Sequence, residues 1–462
     1  MVFSSLIFLF VFMPVSLAVY YLVPKKLRNL ILFVVSLLFY AWGEPAFVFV
    51  MLFSVGVNYT AGRLLARFRA NRKLSSALFI SAVVLNLGLL CWFKYSPLFV
   101  KTVNSLSQLK IPVPEVTLPI GISFYTFEAL SYLIDIRNQE ACPQTRLLNF
   151  GTYLSFYPHL VAGPIIRYRD FAPQLTDRRE TFQEISEGAV RFLTGLFKKV
   201  LLANNLAQIA DRIQYYGNPS MLGGWVCAFA LTFQIYFDFS GYSDMAIGLG
   251  RMFGFRLPEN FNYPYLSRSA ADFWRRWHIT LGSWFREYLY IPLGGNRCSK
   301  LKNIRNLAIV WVLTGFWHGA SWNFAIWGAY WGFLIIAEKY LIKGYDKAPA
   351  WLQWVCSFLT AAVGWVLFFN TDFSKADVML AAMFGFSSKI DSVGLYGLTT
   401  GWFLLLLAAC FSTPVPAKLA DRLRSAGIPG KIVWCAGYAV LFAFSLSFLV
   451  ENSYNPFLYF RF

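Results

Sequence analysis

Three histidines stand in 462 residues, His159, His278 and His318. They sit in "YPHLVAGP", "RRWHITLG" and "GFWHGASW", among aromatic and small residues. An imidazole has a reference pKa of about 6.5, and burial that penalises its charged form keeps it neutral. A neutral imidazole can take a proton from a hydroxyl. His318 lies in a run from Leu307 to Ala337 without Asp, Glu, Lys or Arg. Gly315 and Gly319 flank it in a small-x-x-x-small spacing that Gly328 and Gly332 repeat, a pattern that lets helix backbones approach closely. His318 is therefore expected to face a packed interior within a membrane-length segment, as a general base, a haem or metal ligand, or a structural histidine. With three histidines and no ligand cluster, no metal site is expected.

Three carboxylates also stand in apolar surroundings: Glu128 in "ISFYTFEALSYLID", and Asp238 and Asp244 in "ALTFQIYFDFSGYSDMAIGLG". Carboxylates at membrane depth are costly and usually face a cavity or a partner, so all three are expected to line a passage or to bond to neighbouring helices. His159 falls in "LLNFGTYLSFYPHLVAGPII", between two basic flanks, with Pro158, Gly163 and Pro164 interrupting the helix. That segment reads as re-entrant, since irregular backbone at membrane depth is tolerated only against protein or a watery cavity. His159 then lines or props the passage, or bonds to a backbone carbonyl at the helix break. The seven cysteines are scattered singly, which indicates neither a disulfide framework nor a zinc site. Cys298 in "GGNRCSK" is a thiol nucleophile or an incidental loop cysteine.

The elements that must hold these groups are written in the composition. Hydrophobic residues are 57% of the chain and charged residues 14%, against about 25% charged in a soluble domain. Apolar runs of bilayer length recur, so the chain is a polytopic membrane protein. Its first run, Phe3 to Val23, has no preceding basic residue and no small-x-small cleavage site, and reads as a retained anchor. The net charge of +18 is gathered in short loops such as "KKLR" and "RLLARFRANRK", as the positive-inside rule requires; this argues against nucleic acid. Placing those loops in the cytoplasm puts both termini outside and implies an even number of crossings.

From Arg251 to Arg305 ten basic residues face three acids, which marks a cytoplasmic-side region. Within it "SAADFWRRWHITLGSWFREYLY" reads as one amphipathic helix started by Ser269 and Asp272, with Phe273, Trp274, Trp277, Leu281, Trp284, Phe285 and Tyr288 on one stripe. At helical period His278 falls at the edge of that stripe, beside Trp274 and Phe285, with Arg275 and Arg286 beyond it. This position suits a ligand with an acyl end and an anionic end, or a helix lying in the membrane plane with its arginines on lipid phosphates. "PLGGNR" follows, a Gly-Gly turn with Arg297 that suits a phosphate.

The chain resembles the membrane-bound O-acyltransferases, in particular their bacterial polysaccharide-acetylating branch, over nearly its whole length. The resemblance is carried by "LPIGISFYTFEALSYLID", "YPHLVAGPIIRY", "QIYFDFSGYSDMAIGLGRMFGFRLPENFNYPY", "DFWRRWHITLGSWFREYLYIPLGGNR", "TGFWHGASWNFAIWGAYWG" and the terminal "NPFLYFRF". It implies an all-α ring around a thin central partition with a cytoplasmic funnel, re-entrant and interfacial helices, and a single domain over 1–462: N-terminal helices 1–112, catalytic core 113–343, C-terminal helices 344–462. It implies His318 as catalytic base and His278 as a second active position. The family more often has glutamine at the positions of Glu128 and His159.

The residues and the resemblance together suggest acyl, usually acetyl, transfer from a cytoplasmic thioester such as acetyl-CoA, with no bound cofactor, to an extracytoplasmic polysaccharide. Arg275, Arg286 and Arg297 would hold the donor's phosphates; Trp317, Ser321 or Asn323 would donate to the oxyanion. An exported serine-hydrolase-like partner and the inner membrane of a bacterium complete the expectation. The same scaffold suits peptidoglycan acetylation or D-alanylation. A carrier for an anionic metabolite and a docking scaffold are the alternatives outside this class; repeated halves with broken helices, the usual mark of a carrier, are not evident.

Overall fold

The computed structural model describes residues 1–107, 109–342, 344–370 and 372–451. The expected outer tail, including "NPFLYFRF", lies outside the described residues. All regular elements among the described residues are helices. Seven of them are long and apolar enough to cross a bilayer, at about 1.5 Å per residue against a core of about 30 Å. Chain contacts divide the protein into two compact units.

The first unit comprises Met1–Phe192 with Ser243–Pro258. It carries the spans Lys25–Gly43, Pro45–Arg67 and Arg72–Ser107 and a shorter apolar helix, Phe8–Leu22, where the anchor was expected. Within the second and third spans, Asn58 and Asn86 are buried and joined reciprocally: each side-chain amide donates to the other's oxygen, at 3.0 and 2.8 Å. Each also donates to the carbonyl four residues back, so neither donor is stranded in an apolar setting, where interhelical polar bonds take the place of hydrophobic drive.

The re-entrant expectation has its counterpart here. Leu147–Ser155 is a short helix, Phe156 leaves it, and Tyr157–Leu160 is a single further turn. Neither piece is long enough to cross a bilayer. The irregular stretch is buried from Gly151 to Ile166, as backbone with unpaired groups must be in a lipid setting. Ser36 Oγ accepts from Tyr157 N, and Tyr153 Oη donates to the carbonyls of Ile166 and Glu128. Gly121 meets this segment with φ +75; a Cβ there would stand 2.5 Å from Leu160 O.

The second unit comprises Leu193–Tyr242 with Glu259–Phe462. It holds the spans Ala350–Phe369, Ser392–Phe411 and Gly427–Glu451. Only 6% of the apolar window of Gly427–Glu451 is buried, so that helix offers its surface to lipid. The unit's core is aromatic. Phe273 stacks on Trp331 at 5.2 Å, Trp277 lies 4.6 Å from Trp365, and Trp274 packs edge-on against Trp311 and Trp327. Ring geometries of this kind add to the area that large side chains bury.

Candidate active site

The charge-free run around His318 is not one span. It folds into two antiparallel helices, Lys300–His318 and Trp322–Tyr340, with His318 as the last residue of the first. Gly319 leaves the helix in an extended conformation, and Ser321 Oγ starts the next helix by accepting from Asn323 N at 3.3 Å. A Cβ on Gly315 would stand 2.1 Å from Phe324 O, and one on Gly328 would stand 2.3 Å from Trp311 O. The expected close approach is therefore real for Gly315 and Gly328. Gly319 acts differently: it is past the helix end, and its missing side chain leaves room for the Phe324 ring. His318 is 7% exposed. Its ring meets Trp317 and Trp327 at 5.0 Å and Phe368 at 5.3 Å.

The amphipathic helix expected from Ser269 to Tyr290 also breaks, and the break is at His278. Ser269 caps Ala270–Arg276 by accepting from Asp272 N at 3.0 Å, as expected. Trp277 is then extended and His278 left-handed, φ 44 and ψ 53, before Ile279–Phe285 begins. A non-glycine residue rarely holds that conformation without support from its surroundings. The segment before the helix supplies the support: Asn262 N donates to Arg276 O at 2.9 Å and Ile279 N to Asn260 O at 3.0 Å. The periodic placement of His278 between Trp274, Phe285 and the arginines is therefore overturned. Its ring instead meets Phe239 at 4.7 Å and Trp317 at 5.8 Å. It is 1% exposed, and burial pushes the imidazole down to about 3.

One indole, Trp317, thus touches both His278 and His318. Two histidines forty positions apart share an aromatic site, in which burial favours the neutral form of His278. Asn323 is buried nearby on the hairpin, its Nδ2 donating to Asn370 O. Ser321 serves as a helix cap.

The other expected residues have surroundings of their own. Arg275, Arg286 and Arg297 are exposed, and Arg275 lies 3.8 Å from Asp272. Asp238 is buried against Lys199 at 2.6 Å, and Asp244 is bound by Arg191 at 2.6 Å. His159 Nδ1 lies 3.0 Å from Glu128 Oε1, while its Nε2 lies 3.1 Å from Tyr153 O. Cys298 Sγ donates to Gly295 O at 3.3 Å. Among the described residues no group of three potential metal ligands occurs. Sequence reasoning missed Asn260, Phe239, Trp327 and Phe368. Asn260 stands inside a stretch that carries the resemblance, but no local periodicity singles it out, because its side chain acts on residues eighteen and twenty positions away.

Known proteins resemble this chain over much of its length. The profile of the membrane-bound O-acyltransferase family matches residues 95–369, which include both histidines of the cluster. The chain is 38% identical to the probable alginate O-acetylase AlgI of Pseudomonas aeruginosa, over all of both chains. It is 33% identical to the peptidoglycan O-acetyltransferase of Helicobacter pylori, over 83% of this chain and 80% of that one. A more distant likeness, 29% over 50% of this chain and 62% of the other, is to the teichoic acid D-alanyltransferase of Bacillus subtilis. An all-helical, multi-pass membrane protein with two imidazoles on one indole, the chain belongs to the membrane-bound O-acyltransferase family and is an acyltransferase.

Proposed function

We propose that this acyltransferase moves an acetyl group from a cytoplasmic thioester, acetyl-CoA, to a hydroxyl destined for an extracytoplasmic polysaccharide of the alginate kind. The observation that carries the reading is the pair of buried imidazoles, His278 and His318, both in ring contact with Trp317. In this reading His318 takes the proton of the accepting hydroxyl as its oxygen attacks the thioester carbonyl. The tetrahedral oxyanion accepts from the Trp317 indole or the Ser321 hydroxyl. The C–S bond then breaks, the ester forms, and the leaving thiolate takes the proton from the imidazole. The exposed arginines Arg275, Arg286 and Arg297 hold the phosphates of the donor, where a planar guanidinium makes paired bonds.

The acceptor choice follows the full-length likeness to alginate O-acetylases. The basic loops face the cytoplasm of a bacterial inner membrane, both termini face outward, and an exported serine-hydrolase-like partner delivers the acetyl group. The test is purified protein in liposomes supplied with labelled acetyl-CoA inside and alginate with the partner outside. Wild type is expected to cleave the thioester and label the polymer; His318→Ala is expected to do neither while still binding donor. Labelling of glycan strands instead of alginate would redirect the acceptor to peptidoglycan. Equal thioester cleavage by wild type and His318→Ala would remove the mechanism.

A further inference from the structure

Asn260 Oδ1 is the meeting point of three groups. Thr280 N lies 3.3 Å from it, Thr280 Oγ1 2.9 Å and His278 Nδ1 3.0 Å. A backbone N–H can only donate, so its bond to the amide identifies that atom as the oxygen and removes the usual ambiguity of an asparagine side chain. An amide oxygen can only accept, so His278 Nδ1 must carry a proton. The other nitrogen, Nε2, is buried and has no hydrogen-bond partner among the described residues. Burial of an unpartnered polar atom is costly, and the left-handed backbone at His278 adds strain. Both are features that functional sites retain.

The geometry assigns to Asn260, backed by Thr280, the role of positioning residue for acyl transfer: it fixes His278 as the Nδ1–H tautomer and so presents Nε2 as a bare hydrogen-bond acceptor. This rests on the reading of His278 as part of the acyl-transfer site. The choice of asparagine over aspartate matters. A carboxylate at the same place would favour the imidazolium, whereas the amide sets the tautomer and adds no charge. The elements packed on the ring present Phe239 and Trp317, both uncharged. The ionisable residues nearest in the chain to these partners are Asp238, which is bound to Lys199, His318, Glu259 beside Asn260, and Arg276, which pairs with Asp272. The ring's partners Phe239, Trp317 and Asn260 are all uncharged, so a new charge at position 260 would act on the imidazole directly.

With three histidines in the chain, nitrogen-15 NMR of ¹⁵N-histidine-labelled protein in detergent resolves each ring, and His159→Gln and His278→Gln assign the signals. Wild-type His278 is expected to show the Nδ1–H tautomer. Asn260→Leu is expected to lose that signature and to lower turnover by about 10–100-fold, the usual cost of losing a ring-orienting partner, with donor KM little changed. Asn260→Asp is expected to give the imidazolium signature and to move the acid limb of the turnover profile upward in pH, because a raised pKa protonates Nε2 earlier as pH falls. Thr280→Val, a milder change, tests the same clamp if Asn260→Leu does not fold.

An Nε2–H tautomer in the wild type, or an unchanged His278 signal in both Asn260 variants, overturns the assignment whatever turnover does. Should His278→Gln retain full turnover while the tautomer is as assigned, the functional reading of His278 is what fails.

Discussion

Two buried histidines, one in each unit, show how the same side chain can be placed for different work. His159 is 0% exposed and has both ring nitrogens engaged, one by the Tyr153 carbonyl and one by Glu128. Since a carbonyl only accepts, Nε2 is protonated and the 3.0 Å contact at Nδ1 needs a second, shared proton. The couple is neutral as a whole whichever partner carries that proton. Its carboxylate also accepts from Ile166 N at 3.2 Å, which ties the end of the irregular segment to the helix Ile122–Asn138. His278 is as deeply buried but engaged at one nitrogen only. Full engagement makes a fastening; half engagement leaves one buried nitrogen without a hydrogen-bond partner among the described residues. Burial alone does not tell the two apart, and the partner count does.

The contrast is broken most directly by alanine. His318→Ala and His278→Ala are each expected to lower thioester turnover by about 10²–10⁴-fold with little change in thermal stability. His159→Ala should do the reverse. If His159→Ala abolished turnover in a protein of wild-type stability, the division between the two units' histidines would be wrong.

The next effect is on folding. Glu128→Ala removes one partner of the buried pair and is expected to cost about 3–5 kcal/mol, read from unfolding in detergent. Glu128→Gln combined with His159→Gln is expected to recover most of it, because two amides satisfy each other without charge. No recovery would mean that the ionisable pair does more than fasten.

A third variant sharpens the site in the second unit. Gly315→Ala places a methyl against Phe324 O and is expected to cost about 1–3 kcal/mol, with turnover falling as the hairpin that carries Trp317 and His318 shifts. Gly88→Ala is the control, since a Cβ there meets nothing within 4 Å. Equal behaviour of the two would show that the hairpin does not depend on the Gly315–Gly328 approach.

The smallest effects belong to the exposed arginines. Arg275→Ala, Arg286→Ala and Arg297→Ala should each raise donor KM by a few-fold, within about 1 kcal/mol. The difference should fade at high salt, and kcat should hold.

Long apolar stretches such as Met221–Met252 and Gly427–Glu451 were legible because composition over bilayer length is itself the cause of the element. The cap at Ser269 was legible for the same reason: one side chain bonds three residues on. The failures came where periodicity was extended through a break. At 100° per residue the sequence from Ser269 to Tyr290 scans as one helix, and nothing local in "RRWHIT" announces a left-handed residue; the distant segment around Asn260 imposes it. The hairpin at His318 did leave a trace, "HGAS", in which a glycine exit and a serine cap adjoin, but the absence of charge on both sides hid it. Of the site, the two main imidazoles were legible by rarity. Their union through Trp317 and the grip of Asn260 on His278 were not, because both depend on chain segments brought together only by folding.

The reciprocal amide pair of Asn58 and Asn86 has a mechanical corollary. A slide of Val48–Arg67 along Arg72–Leu90 by one helical turn, about 5.4 Å, would break both amide contacts at once and leave each amide only the bonds within its own helix. Shear between these two helices is thereby opposed, and the pair is pinned in one register.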